Sequence, residues 1–375
     1  MIPPTPSLNH NGTSPRRNHR PLRHLSSWSV KAHLPYLKSS SKYTITGVCN
    51  STLASSEASI KTHQLPSAKP YGSPADLAAS PDVDLVVCSV RVDRHYETIK
   101  PALEAGKDCF VEWPLASNLA QATELAELAE RKGVKTVIGL QGVMSPVTRR
   151  VKQLVDEGAI GRVISSSVVA FMPELAGPEV FESLDYLNDV ETGGNMLVIP
   201  FGHLYDSVSY ALGELQSVSA TLSTQFPDVA VKGADGSTLR TIKRTTADHV
   251  AISGLLTSGA FSTVAFNGRG LMEGDSKLVW RIEGDKGLLE VRGDSCFAIS
   301  MTGGVEVRLQ DFATGEVKDV DVAEDQSGPA ANIGRLYEAF ADREWYPDWK
   351  WAVKRHEWLD ALYKSQDKGR RVSFD

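Results

Sequence analysis

The residues best placed to do chemistry stand at the carboxyl ends of apolar runs. Asn50 and Ser51 follow the run 43–49, and Arg91 and His95 follow 83–90. Glu112, Trp113 and Pro114 close 108–112, and Gln141 follows 134–139. In an open parallel sheet, ligands bind in the crevice beyond the carboxyl ends of the strands. On that reading Arg91, His95 and Gln141 touch a bound small molecule; the alternative is a set of surface residues at helix starts. Glu112 reaches a ligand, or is a strand-end charge on a turn that Pro114 stiffens. Trp113 stacks on a flat ring or packs in the core. His203 is an isolated histidine whose ordinary pKa near ~6.5 suits a general acid or base. Its alternative is a polar core residue on a helix facing a sheet. Tyr205 and Asp206 stand on the same helix and suit packing or hydrogen bonding behind it. The pair Gly193-Gly194 offers a weak signal for a helix start near an anion.

The elements that must position these residues alternate in type. The β-branched run 43–49 reads as a strand. Helical stretches follow at 53–63 and 75–79. The nearly unbroken apolar run 83–90 reads as a strand buried on both faces of a parallel sheet. A helix over 95–105 ends at Gly106, 108–112 is a short buried strand, and Asn118 caps a helix over 119–132 closed by Gly133. A strand over 134–139 and a helix over 147–157 complete the first pattern. Such alternation predicts a doubly wound parallel sheet. Beyond it the pattern changes: a strand over 162–171, a helix over 194–212, then strands at 218–224, 250–256, 261–266, 278–283, 287–291 and 305–309, separated by hairpin-type turns. A mostly antiparallel sheet with helices on one face is the expected solution. Closing helices at 331–342 and 351–364 end the chain. The second carries a stripe of Trp351, Val353, Trp358, Leu359 and Leu362, which reads as core or interface.

Composition narrows the classes. A length of 375 residues suits two domains, and the net charge of −6 argues against a nucleic-acid binder or a membrane-surface protein. No apolar run approaches the ~20 residues of a membrane span. Cys49, Cys88, Cys109 and Cys296 form no C-x-x-C pair and have no histidine cluster beside them, so neither a disulfide framework nor a metal site is expected. Residues 1–25 are rich in arginine, proline and serine and contain no acid. They read as a disordered tail or a misassigned first coding segment, with a targeting signal as the alternative. The expected domains are 26–143, an incomplete Rossmann-like sheet, and 144–375, an α+β domain whose closing helices pack back on the first.

Four stretches carry a resemblance. They are Val111-Glu-Trp-Pro-Leu115; Leu140-Gln-Gly with Ser145-Pro146 and 154–163; 193–203 with Asp206; and 282–291. Together they make the chain resemble the Gfo/Idh/MocA family of nicotinamide-dependent oxidoreductases. Glu-Trp-Pro, Gly-Leu-Gln-Gly and Ser-Pro bring it closest to the fungal branch of Gal80-type galactose regulators. The resemblance implies NAD(P), with Glu112 beside the nicotinamide ring, and a homodimer formed through the open faces of the second sheets. An acid that grips the ribose is usual for NAD at the end of the second strand. Asn50 and Ser51 supply none, so a 2′-phosphate meets no repulsion. Lys61 is near, and the balance tips slightly to NADP.

Two departures stand out. The family opens with a strand and a Gly-x-Gly loop that cradles the pyrophosphate; here only Gly12 precedes Trp28, so the first strand is expected to be missing or replaced. The family's catalytic lysine and aspartate fall on Trp113 and Ile199, and only His203 remains of the set. Two functions follow as expectations. One is an oxidoreductase acting on a sugar-like or other small secondary alcohol or ketone, with His203 moving the proton. The other is a catalytically silent, dinucleotide-sensing regulator with a protein partner. Either would be cytoplasmic, or nuclear if regulatory.

Overall fold

The computed structural model describes residues 28–301, 304–322 and 328–374, together with the backbone of Asn18–His19 and Leu22–Arg23. Apart from those four residues, the disordered-tail expectation for 1–25 and the start of the 26–143 domain lie outside the described residues.

The first sheet has six parallel strands: β1 (Leu22–Arg23), β2 (Gly47–Cys49), β3 (Lys69–Tyr71), β4 (Leu85–Cys88), β5 (Asp108–Val111) and β6 (Thr136–Ile138). Their spatial order is β3-β2-β1-β4-β5-β6, the doubly wound order with its switch point between β1 and β4. The central place, expected to be missing a strand, is held by two residues: Leu22 and Arg23 pair with Val48 and Cys49 on one side and with Val87 and Cys88 on the other. All four residues of β4 are buried, as its unbroken apolar run requires. Helices Leu53–His63, His95–Glu104 and Leu119–Lys132 make the crossovers. The Asn118 side chain caps the last by accepting from the Gln121 amide at 3.0 Å.

The second sheet has nine strands. In chain order they are β7 (Val163–Phe171), β8 (Leu215–Ser223), β9 (His249–Leu256), β10 (Phe261–Asn267), β11 (Leu278–Gly284), β12 (Gly287–Gly293), β13 (Val305–Asp311), β14 (Val317–Asp319) and β15 (Val372–Ser373). They lie in the order β14-β13-β12-β11-β7-β10-β9-β8-β15. Only β7 and β10 pair in parallel; every other ladder is antiparallel. One face carries Val168, Ala170, Val264, Phe266, Trp280 and Ile282, all buried. The Pro200–Leu212 and Trp349–Lys368 helices lie on that side: Phe201 meets Phe266 edge to face, and Tyr205 and Trp358 stack at 4.4 Å between centroids. The opposite face carries small residues in register, Ser167 beside Thr263 beside Ser253, and Val169 beside Ala265 beside Ala251.

Both closing helices dock on the first domain. Pro329–Asp342 brings Tyr337 and Glu338 against the N-terminal segment, where Tyr36 stacks on Tyr337 at 5.4 Å. At the start of the other, Trp349 Nε1 donates to the Val137 carbonyl at 3.0 Å. A three-stranded side sheet, Glu179–Phe181, Asp228–Lys232 and Thr238–Lys243, was not expected from the sequence. Its buried base is tied by Arg244, which donates to Asn188 Oδ1, the Ala176 and Gly177 carbonyls and Asp248 Oδ2.

Candidate active site

At the carboxyl ends of β4 and β5 lies a cleft of about 470 Å³. Three regions of the chain meet there. The strand ends supply Ser89, Arg91, Arg94, Glu112 and Trp113; the segment 182–188, carried by the side sheet, supplies Ser183, Leu184 and Tyr186; and the second domain supplies Ile199, His203 and Phe297. Trp28 lines it from the N-terminal side.

Glu112 is buried. Its Oε1 accepts from His33 Nε2 at 2.7 Å, and His33 Nδ1 lies 2.8 Å from the Tyr337 hydroxyl. With the Nε2 proton given to the carboxylate, Nδ1 is the acceptor for the tyrosine. A side chain at Gly139 would put its Cβ 2.8 Å from Glu112 Oε1, so the neighbouring strand end must be glycine for the carboxylate to fit.

Trp113 is 4 % exposed and lines the cleft. Its Nε1 donates to the Val198 carbonyl at 2.7 Å, and its ring lies 5.0 Å from that of His356. The room for it comes from Gly202, where a Cβ would fall 2.7 Å from Trp113 Nε1. Of its two sequence readings, stacking and packing, the geometry gives mainly packing. Pro114 is buried beneath, in a cis peptide with Trp113.

His95 offers a ligand no free nitrogen. Nδ1 lies 2.8 Å from the Pro114 carbonyl and Nε2 3.0 Å from the Val90 carbonyl, and the single N–H of the neutral ring donates to one of them. Burial pushes its pKa down, and the two carbonyls oppose this. Arg91 is held by Asp93 at 2.9 Å and lies over the Tyr186 ring at 4.7 Å. Arg94 is exposed and makes no ion pair among the described residues.

His203 sits on the opposite wall, buried, with Nδ1 lacking a hydrogen-bond partner. Burial pushes its pKa down to about 4, against the pull of the Glu112 charge. It is therefore a neutral imidazole at pH 7, an acceptor of protons rather than a donor. Ile199 is the residue immediately before this helix. Gly193 and Gly194 do not open the helix, which starts at Pro200. Instead they let the second domain approach the first: a Cβ on Gly193 would lie 2.3 Å from Ser117 Cα, and one on Gly194 3.0 Å from Val92.

Thus Arg91, His95, Glu112, Trp113 and His203 line one cleft, whereas Asn50, Ser51, Pro114 and Gln141 are not among its lining residues. Asn50 is tied by its amide to the Ser55 carbonyl at 2.9 Å and to Ser59 at 2.8 Å, while its Oδ1 is buried without a partner. Ser51 is exposed. Gln141 is buried, with Oε1 unpartnered. The sequence reading had not singled out Trp28, His33, Arg94, Tyr186, Phe297 and Tyr337; Trp28 alone carried a signal, as the first residue of folded composition. Tyr205 and Asp206 pack behind His203, and Asp206 Oδ1 accepts from Trp351 Nε1 at 2.7 Å. Among the described residues no group of three His, Cys, Asp or Glu side chains can hold a metal ion, and no helix is long and apolar enough to cross a membrane.

Comparison with known proteins adds the following. Residues 27–140 match the model of an oxidoreductase family with an NAD-binding Rossmann fold, and residues 146–293 match that of the Gal80p C-terminal domain. The chain is similar to the dehydrogenase aclE of Aspergillus oryzae, 29% identical over 357 residues and 94% of each protein. It is 34% identical over 283 residues to the galactose/lactose metabolism regulatory protein GAL80 of Kluyveromyces lactis, covering 72% of this chain and 62% of that one. Its structure resembles that of a super-repressor mutant of Gal80p from Saccharomyces cerevisiae, with a TM-score of 0.87 and 25% identity over 95% of this chain and 97% of the other.

Proposed function

Because the chain belongs to the Gfo/Idh/MocA oxidoreductase family, with an NAD-binding Rossmann fold and the C-terminal domain of the Gal80 branch, we propose that it transfers hydride between NAD(P) and the carbinol carbon of a small secondary alcohol. The observation that carries this reading is the neutral His203 facing Glu112 across one cleft at the strand ends.

The residues fit the dinucleotide at two places. Asn50 ends β2 with a buried acceptor, Oδ1, left for a hydroxyl donor such as a ribose. The cleft itself opens at the carboxyl edge of the parallel sheet, beside the switch point. The expected site of the glycine loop, between β1 and Trp28, lies outside the described residues. With no acid at Asn50 or Ser51, NADP is slightly favoured over NAD.

Held at this cleft, NAD(P) would supply the hydride acceptor for the carbinol carbon. The C–H bond breaks with its electron pair, the C=O bond forms, and His203 takes the hydroxyl proton. Glu112, fixed by His33, keeps a negative charge near the imidazolium that results. Arg91, stacked on Tyr186, and the Ser183–Tyr186 segment close the outer wall and limit water. An open sheet face of small residues supports pairing of two copies there, and a cytoplasmic location accompanies this reading.

A second reading has its own observation. Trp113 and Ile199 stand where the enzymes carry an ammonium and a carboxylate, so His203 lacks both of those partners. A dinucleotide-sensing regulator that binds a protein, nuclear or cytoplasmic, needs no more. The similarity to a regulatory protein supports it.

The test is NAD(P)H absorbance with purified protein over a panel of secondary alcohols, together with dinucleotide binding by calorimetry. Turnover that falls ~10²–10⁴-fold in His203→Ala, with dinucleotide affinity kept, is expected. In the oxidation direction kcat/KM should be flat from pH 5 to 8 and decline only toward pH 4, because His203 stays neutral down to about 4. Dinucleotide binding without turnover on any alcohol would hand the site to the regulatory reading.

A further inference from the structure

We propose that the cleft takes a substrate with a flat apolar body and an anionic group, such as an aryl-bearing hydroxy acid, and not a polyol; this rests on reading the cleft as the hydride-transfer site. Sugars and cyclitols present a hydroxyl on nearly every carbon, and a site that holds them needs a matching density of side-chain acceptors and donors. The described wall offers few such groups: besides its charged, imidazole and indole side chains, only the Ser89, Ser183 and Tyr186 hydroxyls. Glu112 is the one carboxylate among its lining residues, and its Oε1 is already engaged by His33. Among the described residues no Asp, Asn or Gln lines it. His95 has both nitrogens on backbone carbonyls.

What the wall does offer is rings and aliphatic surface. Trp28, Tyr186 and Phe297 line the cleft with Leu184 and Ile199, and the Trp113 indole completes the floor with its N–H turned away to Val198. The Phe297 ring sits 6.2 Å from the His203 ring, edge to face, so an apolar group packed on Phe297 lies next to the proton acceptor.

The charge at the mouth is uneven. Arg91 is neutralised by Asp93 and His203 is uncharged, while Glu112 is buried and hydrogen-bonded to His33. Arg94 is then the lining cation with no counter-ion among the described residues. A guanidinium in that position is suited to a carboxylate.

The experiment is calorimetric titration of the full-length protein, with and without NADP, using three probes: 3-phenyllactate, the neutral 1-phenyl-2-propanol and myo-inositol. Tightest binding by 3-phenyllactate is expected, with myo-inositol undetected at the same concentration. Arg94→Gln should weaken 3-phenyllactate by about five- to tenfold and leave 1-phenyl-2-propanol unchanged. Myo-inositol binding as well as the acid, no binding of 3-phenyllactate, or an acid-to-alcohol ratio unmoved by Arg94→Gln each overturns the proposal. Absorbance at the NADPH band is read on the same samples. Selective acid binding without an absorbance change keeps the ligand class and removes the hydride-transfer reading, so the two fail separately.

Discussion

His33 Nε2 and Glu112 Oε1 are 2.7 Å apart, which joins the first described helical segment to the end of β5 across 79 positions of sequence. The histidine is fully buried and its other nitrogen reaches Tyr337 on a closing helix. One ring thus fixes the carboxylate, the N-terminal segment and the Pro329–Asp342 helix together. His33→Ala leaves a buried carboxylate without its donor. A hydrogen bond to a charged group contributes ~1.5–3 kcal/mol, and the loss should appear as a lower urea midpoint. Glu112→Gln keeps an acceptor for the ring and should cost less. Equal midpoints for His33→Ala and the parent chain would show that the contact holds nothing.

Gly202 and Trp113 form a second dependent pair. The indole stands over the helix only because position 202 has no side chain. Gly202→Ala would push a methyl into Trp113 Nε1 and strain its bond to the Val198 carbonyl. Overpacking of this kind costs ~1–3 kcal/mol, although alanine favours the helix by up to ~1 kcal/mol. The net expectation is a loss of stability, with blue-shifted or quenched tryptophan emission altered in the same variant. In Trp113→Phe, Gly202→Ala should be tolerated. If Gly202→Ala is as harmful there, the indole is not what needs the glycine.

The sheets were legible in the sequence because their signals are local. Unbroken apolar runs marked β4 and β5, alternation marked β7, hairpin-type turns bounded β8–β13, and Asn118 and Gly133 marked their helix to the residue. The central strand was not legible, since Leu22–Arg23 is two residues long and held by its neighbours on both sides rather than by a pattern of its own. The side sheet carries little sequence signal because its strands are short, its core is only Val180, Val229 and Val231, and its base is tied by one buried arginine, Arg244. Strand-end logic pointed to Arg91, His95, Glu112 and Trp113, and the family resemblance to His203; the fold brings these five to one cleft. Asn50, Ser51 and Gln141 do not line that cleft, because a strand end faces it only if the chain beyond it turns that way. His33 and Tyr337 carry no local signal at all: their role exists only once residues far apart in sequence are packed on Glu112.

Asp206 gives the protein a stability that declines with rising pH. Its carboxyl is fully buried between the two helices on the second sheet, and burial pushes its pKa up to about 7, against the opposing pull of Arg355 and the Trp351 N–H. Its Oδ2 has no partner. Unfolded, the group titrates near ~3.9. Between those values the folded state holds a proton that the unfolded state releases, so stability is fully present below pH ~4 and is lost as pH rises toward about 7. His203 has the opposite sign: its folded pKa near 4 lies below the ordinary ~6.5, so its contribution is lost as pH falls. Asp206→Asn keeps an acceptor for the Trp351 indole and removes the ionisation. Against the parent chain the variant should therefore gain relative stability between pH 5 and 8 in urea titrations, with the difference growing as pH rises. A difference that is constant with pH, or that shrinks toward pH 8, would mean that Arg355 holds Asp206 ionised throughout the range.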